Sequence, residues 1–321
     1  MRFHLYGLVA VIFGIFLSIE VNASDYPNKS IRLIIPFPPG GGNDIVGRII
    51  GVQLANRLGK QVVIDNRSGA GGVIGSEMAA NSQPDGYTLL VISATYTVNP
   101  WLYKLTFDPL TAFAPISRIA SSPNVLIVQP LLPIKSVEEL IALAKAKPGQ
   151  LNYASGGVGS NPHLSFALFS SLAGIKTVHI PFRGSGPMVM DVISGQSQFG
   201  FAPIMASLPH LNSGRLRGIA TSGATRSPVL PNMPTVSESG VANYESSNWW
   251  GIVAPFGLSK NIQAKLHEDI MAVLKSSETR KWSATEGAVL AGDNPEKFGK
   301  HIAAELKKWG KVVHDFDIRL D

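Results

Sequence analysis

Two short stretches hold residue types that could do chemistry. In "GGVGSNPH", Ser160 and His163 stand three apart, a spacing that puts both on one face of a helix start. A hydroxyl beside an imidazole is the first half of a nucleophile–base pair. In "PFPPGGGND", three glycines run into Asn43 and Asp44. Glycines at a strand-to-helix turn let a ligand approach the backbone.

Neither stretch completes a catalytic or cofactor motif. The nucleophile elbow is G-x-S-x-G, and neither Ser160 nor Ser185, in "FRGSGP", fits it. No orienting acid accompanies Ser160 and His163, so the favoured reading has Ser160 capping a helix and touching a ligand. An exported serine hydrolase using Ser160 and His163 stays as the competing expectation. A phosphate loop needs a lysine after its glycines, and none follows Gly42. "GAGGVIGS" starts like a dinucleotide fingerprint at Gly69 and Gly71, but Ile74 stands where the third glycine belongs. No His or acidic spacing suits a metal, and the absence of cysteine excludes thiolate chemistry. We therefore expect no cofactor and no metal. The glycine turn suits a small anion such as a carboxylate, held by N–H groups at a helix N-terminus. Asp44 is expected either to cap that helix or to reach a cleft and accept a hydrogen bond from a ligand amine or hydroxyl. Arg183 is a candidate partner for an anion.

The elements that would position these residues alternate. "IRLIIPF" (31–37), "QVVIDNR" (61–67) and "YTLLVIS" (87–93) read as strands. Residues 44–59 and 71–81 between them read as helices, giving a βαβαβ unit with a parallel sheet. The pattern recurs from Asn124. Strands are predicted at 124–130, 151–155, 176–182, 197–203 and 216–223, with helices at 136–148, 163–174 and 186–196. Residues 224–241 are rich in Pro and Ser and predict a surface loop. "WWGIVAP" (249–255) predicts a strand with Trp249 and Trp250 on opposite faces, and two long amphipathic helices follow. Two α/β units imply two lobes around a cleft. Ligands in such sheets sit at the loops after the strands, here after Phe37, Ser93, Ser155, Phe182 and Pro203.

The chain has 321 residues, with 45 % hydrophobic and 16 % charged side chains, a globular rather than disordered composition. Its net charge of +6 is dispersed and lacks the basic, aromatic-interleaved stripe of a nucleic-acid binder. Arg2, the apolar run Leu8 to Ile19 and the small residues of "VNAS" predict a signal peptide over residues 1–23, cleaved after Ala23. That predicts an exported protein.

The stretches "IIPFPPGGGNDIVGRIIGVQL", "VVIDNRSGAGGVIGSEMAA", "PDGYTLLVISATYTVNPWLY", "LNYASGGVGSNPHLS", "VHIPFRGSGPMVMDVISGQ" and "MPTVSESG" resemble, in order, the Bug receptors of tripartite tricarboxylate transporters. The resemblance spans nearly the whole mature chain. It implies an α/β, two-lobed periplasmic-binding-protein fold of the Venus-flytrap type, with a parallel-rich sheet in each lobe. It implies no enzymatic activity, but capture of a small carboxylate, which could be a dicarboxylate, tricarboxylate, acidic amino acid or aromatic acid. A membrane permease pair would receive it, or a sensor kinase would read it, and the receptor would be a monomer. Carried over residue by residue, Phe37, Gly41 and Asp44 line the first loop and Ser93 and Thr95 the third-strand loop. Ser155, Ser160, Asn161 and His163 line the second-lobe loop, and Arg183 and Pro203 follow two later strands. Residues 25–122 with 248–321 would form lobe one, and 123–247 lobe two. The chain departs from the family at Tyr96, where the third-strand loop is expected to be narrowed or reshaped.

Overall fold

A computed structural model describes residues 26–40, 42–182 and 184–319. The expected signal peptide, Gly41 and Arg183 lie outside the described residues.

The first unit forms as its pattern predicts. Strand β1 (Ile31–Ile35) buries Ile31, Leu33 and Ile35 on one face and Ile34 on the other, as expected of a strand covered on both sides, and pairs in parallel with β2 (Val62–Asn66) and β3 (Thr88–Ser93). Helix α1 (Gly42–Leu58) crosses between β1 and β2, and α2 (Val73–Ala80) between β2 and β3. A methyl group at Gly47 would lie 2.6 Å from Ile35 Cδ1, so glycine lets α1 press closely onto the sheet. After β3 the chain makes a tight helical turn and the short α3 (Asn99–Leu102).

Strand β4 (Phe113–Val128) is sixteen residues long and joins two sheets. Its residues from Phe113 to Pro123 pair antiparallel with β9 (Ser247–Pro255), which itself pairs with β3. Its residues from Asn124 to Val128 pair instead with β7 (Phe199–Pro203) and β8 (Arg217–Thr221). Between them lie α4 (Val137–Ala146), β5 (Asn152–Ser155), α5 (Asn161–Ala173), β6 (Val178–Pro181), α6 (Ser185–Ser194) and α7 (Ile204–Asn212). β5 pairs in parallel with both β6 and β7. The result is two α/β lobes, strung in the order β2-β1-β3-β9-β4-β7-β5-β6.

The first part of β4 and helix α7 differ from the sequence expectation. Pro115 and Pro123 interrupt the strand signal, and the structure absorbs the irregularity with register shifts at Pro115/Ser117 and Arg118/Ala120. α7 carries Pro209 inside it, which reads as a breaker. The tail also departs: the first expected helix is two, α8 (Lys260–Leu274) and α9 (Ser277–Glu286). Ser276 separates them by capping α9, its hydroxyl accepting from the Thr279 N–H at 3.2 Å. β10 (Val289–Leu290) and α10 (Pro295–Asp315) complete the chain.

Apolar clusters fill both faces of each sheet. A further cluster joins the lobes. Trp309 and Val312 of α10 pack with Val98 after β3 and with Leu164 and Ala167 of α5. Among the described residues no helix is long and apolar enough to cross a membrane.

Candidate functional site

A cavity of about 630 Å³ lies between the lobes, walled by the loops that follow the carboxyl ends of the strands. Four helices begin at its wall: α1 at Gly42 and Asn43, α5 at Ser160 and Asn161, α6 at Ser185, and α7 at Met205. Each brings free N–H groups and the positive end of a helix dipole. No described wall residue is an Asp, Glu, Lys, Arg or His. The arrangement can hold an anion without a basic side chain.

Of the residues expected from sequence, Phe37, Ser93, Thr95, Ser160, Asn161 and Pro203 come together on this wall. Asp44, Ser155 and His163 do not line it, and Gly41 and Arg183 lie outside the described residues.

Asp44 is buried and is held by donors of its own lobe. Its Oδ2 accepts from the Gly40 N–H at 2.9 Å and from Arg48 Nε at 2.8 Å, and its Oδ1 accepts from Asn66 Nδ2 at 2.9 Å. The hydrogen bond from Arg48, with those from Gly40 and Asn66, holds its carboxyl down at about 2. All three donors are protein groups, and they fix the glycine turn.

Ser160 caps α5. Its hydroxyl donates to the Gly157 carbonyl at 2.7 Å and accepts from the His163 N–H at 3.4 Å. His163 Nδ1 accepts from the Gly159 N–H at 3.1 Å, which places the ring proton on Nε2. The two side chains therefore form no nucleophile–base pair. The His163 ring stacks on His179 at 4.0 Å, and Tyr153 stacks on His179 at 4.8 Å. Burial pushes His163 down to about 3 and His179 to about 4, so both are neutral at pH 7. Ser155 is closed into the same group, its Oγ 2.6 Å from His179 Nε2. Tyr96 also turns from the expected wall, because its hydroxyl donates to the Pro109 carbonyl at 2.7 Å and its ring packs with Phe107 and Phe113.

Several wall residues were not expected from sequence. Ser122, Pro123 and Asn124 come from the point where β4 changes sheets, and Asn248 from β9 beside it. Trp249 and Trp250 do face opposite ways: Trp249 is core, while the Trp250 indole lies over the start of α1, where a methyl group at Gly42 would meet it at 3.1 Å. The polar break "SSPN" before the apolar run of β4 was the available signal.

Buried polar atoms without protein partners concentrate here. Asn43 Oδ1, Ser93 Oγ, Asn99 Oδ1, Asn161 Nδ2 and Trp250 Nε1 are such atoms, and all five residues line the cavity. Their orientation is enforced. Asn124 Nδ2 donates to Asn161 Oδ1 at 2.6 Å and to Ser165 Oγ at 3.0 Å, so Asn161 must present its N–H₂ elsewhere. An unpaired buried donor costs about 1–3 kcal/mol, a cost that an incoming acceptor removes.

The chain is similar to known proteins over nearly its whole length. Residues 46–318 match the family described as tripartite tricarboxylate transporter family receptor. Protein BugT of Bordetella pertussis is 36 % identical over 98 % of both chains. A solved structure of R. palustris Rpa4515 with adipate is 34 % identical, covers 92 % of this chain and all of its own, and superposes with a TM-score of 0.80. MatC from Rhodopseudomonas palustris, with bound malate, is 28 % identical over 90 % of this chain and all of its own, with a TM-score of 0.75.

Proposed function

The chain belongs to the tripartite tricarboxylate transporter receptor family, a family of periplasmic solute-binding receptors and not of enzymes, and from that premise we propose that it captures a small carboxylate for a membrane permease pair. In this reading residues 1–23 export the chain and are cleaved after Ala23, and the mature receptor works in the periplasm as a monomer. Residues 25–122 with 248–321 form lobe one and 123–247 lobe two, so the two crossings beside Pro123 and Ser247 act as the hinge. Contacts to the acid from both lobes favour the closed form, which the permease then recognises. The serine hydrolase reading is set aside because Ser160 and His163 do not pair.

The observation that carries the proposal is the interlobe cavity, where four helix N-termini and unpartnered buried donors meet with no charge on the described wall. Native mass spectrometry of protein taken from the periplasm should find a bound acid. Calorimetry should then show Asn161→Asp weakening that acid by about tenfold or more, because a carboxylate now faces the ligand's own. Unchanged affinity would remove Asn161, and the cavity with it, from the binding site.

A further inference from the structure

The wall of the cavity says more about the ligand than its charge. Phe37, Ile45, Leu102, Val158, Met205 and Trp250 surround its polar groups with apolar surface. Its volume of about 630 Å³ is about twice the lower limit for small-molecule pockets. A compact polar acid leaves much of that surface without a partner, and buried apolar wall is where an apolar body gains most.

The polar atoms divide by role. Asn161 Nδ2 and Trp250 Nε1 can only donate, and they suit a carboxylate. Asn99 is 3 % exposed, and its Nδ2 donates to the Gly71 carbonyl at 3.1 Å. That bond leaves Asn99 Oδ1 as an acceptor, buried and without a partner. An acceptor in that state calls for a donor on the ligand. A second carboxylate cannot supply one. An ammonium could, but no described wall residue is a carboxylate, and Asp44, which binds Gly40, Arg48 and Asn66, does not line the cavity. A charged group taken out of water without a counter-charge is costly. A hydroxyl meets the need at no such cost.

Resting on the receptor reading above, we infer that the preferred ligand is a hydroxy acid with a single carboxylate, an apolar body and an uncharged hydroxyl that donates to Asn99 Oδ1. Asn161 Nδ2 and Trp250 Nε1 then pair with the carboxylate and Asn99 Oδ1 with the hydroxyl, and the body lies along the apolar surface.

Calorimetry on the ligand-stripped protein tests this with five probes: 6-hydroxyhexanoate, hexanoate, adipate, glutamate and citrate. The first three share one carbon skeleton and differ in the group at the far end. The expected result is 6-hydroxyhexanoate binding more tightly than each of the other four by about threefold or more. Any smaller margin, or a reversed order, overturns the inference and leaves the receptor reading standing. Binding of none of the five, while the co-purified acid rebinds, also overturns only the inference. If neither these probes nor any co-purified acid binds, the receptor reading fails and takes the inference with it. In Asn99→Ala the preference for 6-hydroxyhexanoate over hexanoate should disappear, a ratio taken within one variant and so insensitive to partial destabilisation. Asn99→Ser is the second variant should Asn99→Ala not fold. A preference that survives the substitution overturns the role of Asn99.

Discussion

At the scale of single residues, the structure separates groups that touch the cavity from groups that hold its loops in place. Asp44 belongs to one glycine-rich loop and Ser160 and His163 to another, yet of the three only Ser160 reaches the wall. Asp44 ties Gly40 to Asn66, and His163 ties Gly159 to the stacked ring of His179. Both serve the ligand loops from behind. The histidine pair should leave a signature in acid. Unfolded histidines take up protons near pH 6.5, but burial lets the folded rings do so only near 4 for His179 and near 3 for His163. Lowering the pH through 6.5 therefore loads protons onto the unfolded chain alone, and stability falls. Above pH 6.5 the pair contributes no slope. Urea unfolding between pH 7 and pH 4 should show the midpoint dropping, and replacing both histidines by Phe should flatten the drop by about two protons' worth. An unchanged slope would mean that the rings already take up protons when folded.

At the scale of elements, the site is built from where helices begin. α1, α5, α6 and α7 all start at the cavity because each follows a loop at the carboxyl end of a strand. That placement depends on the strands holding their positions, and α10 holds β9 from outside. Phe298 of α10 is fully buried against Gly251, where an added methyl group would stand 2.1 Å from its ring. The ring is rigid and enclosed, so Gly251→Ala should push α10 off the sheet. Overpacking of this kind costs about 1–3 kcal/mol. Thermal unfolding should register the loss, and a variant as stable as the parent would show that α10 shifts freely. Trp250 is the next residue on β9, so the same variant should also weaken ligand binding.

At the scale of the molecule, two features make the lobes one mechanical object. β4 belongs to both sheets, changing partners between Pro123 and Asn124. The cluster around Trp309 then closes the lobes together on one side, using α10 from the first and α5 from the second. α5 also carries Ser160 and Asn161 to the cavity. The packing that couples the lobes thus sits on the helix whose start touches the ligand. Trp309 is fully buried, with its indole N–H donating to Glu305 at 2.9 Å. Trp309→Ala should cost about 3–5 kcal/mol. The parent should unfold in urea as one transition by both near- and far-ultraviolet circular dichroism, because the lobes share a strand and a core. Two separated transitions would argue against that coupling.

Local pattern made much of this legible. Apolar runs, glycine turns and caps lie within a few residues of one another, so the βαβ order, the anion-suited turn after β1 and the cap at Ser160 could be read directly. The missing lysine after Gly42 already excluded a phosphate loop. The two α/β units implied the two lobes, and the resemblance added the family. Side-chain direction was beyond that reading, because it depends on partners distant in the chain. Asp44 leaves the wall on account of Asn66, twenty-two residues on, and Asn161 turns its N–H₂ inward on account of Asn124, thirty-seven residues back. Trp250 and Asn248 reach the cavity only because β9 returns beside β4 after the whole second lobe has been built. Chemistry that rests on contiguous residues was open to inspection. Chemistry that rests on which oxygen or nitrogen remains unpaired was decided by the packing of the complete chain.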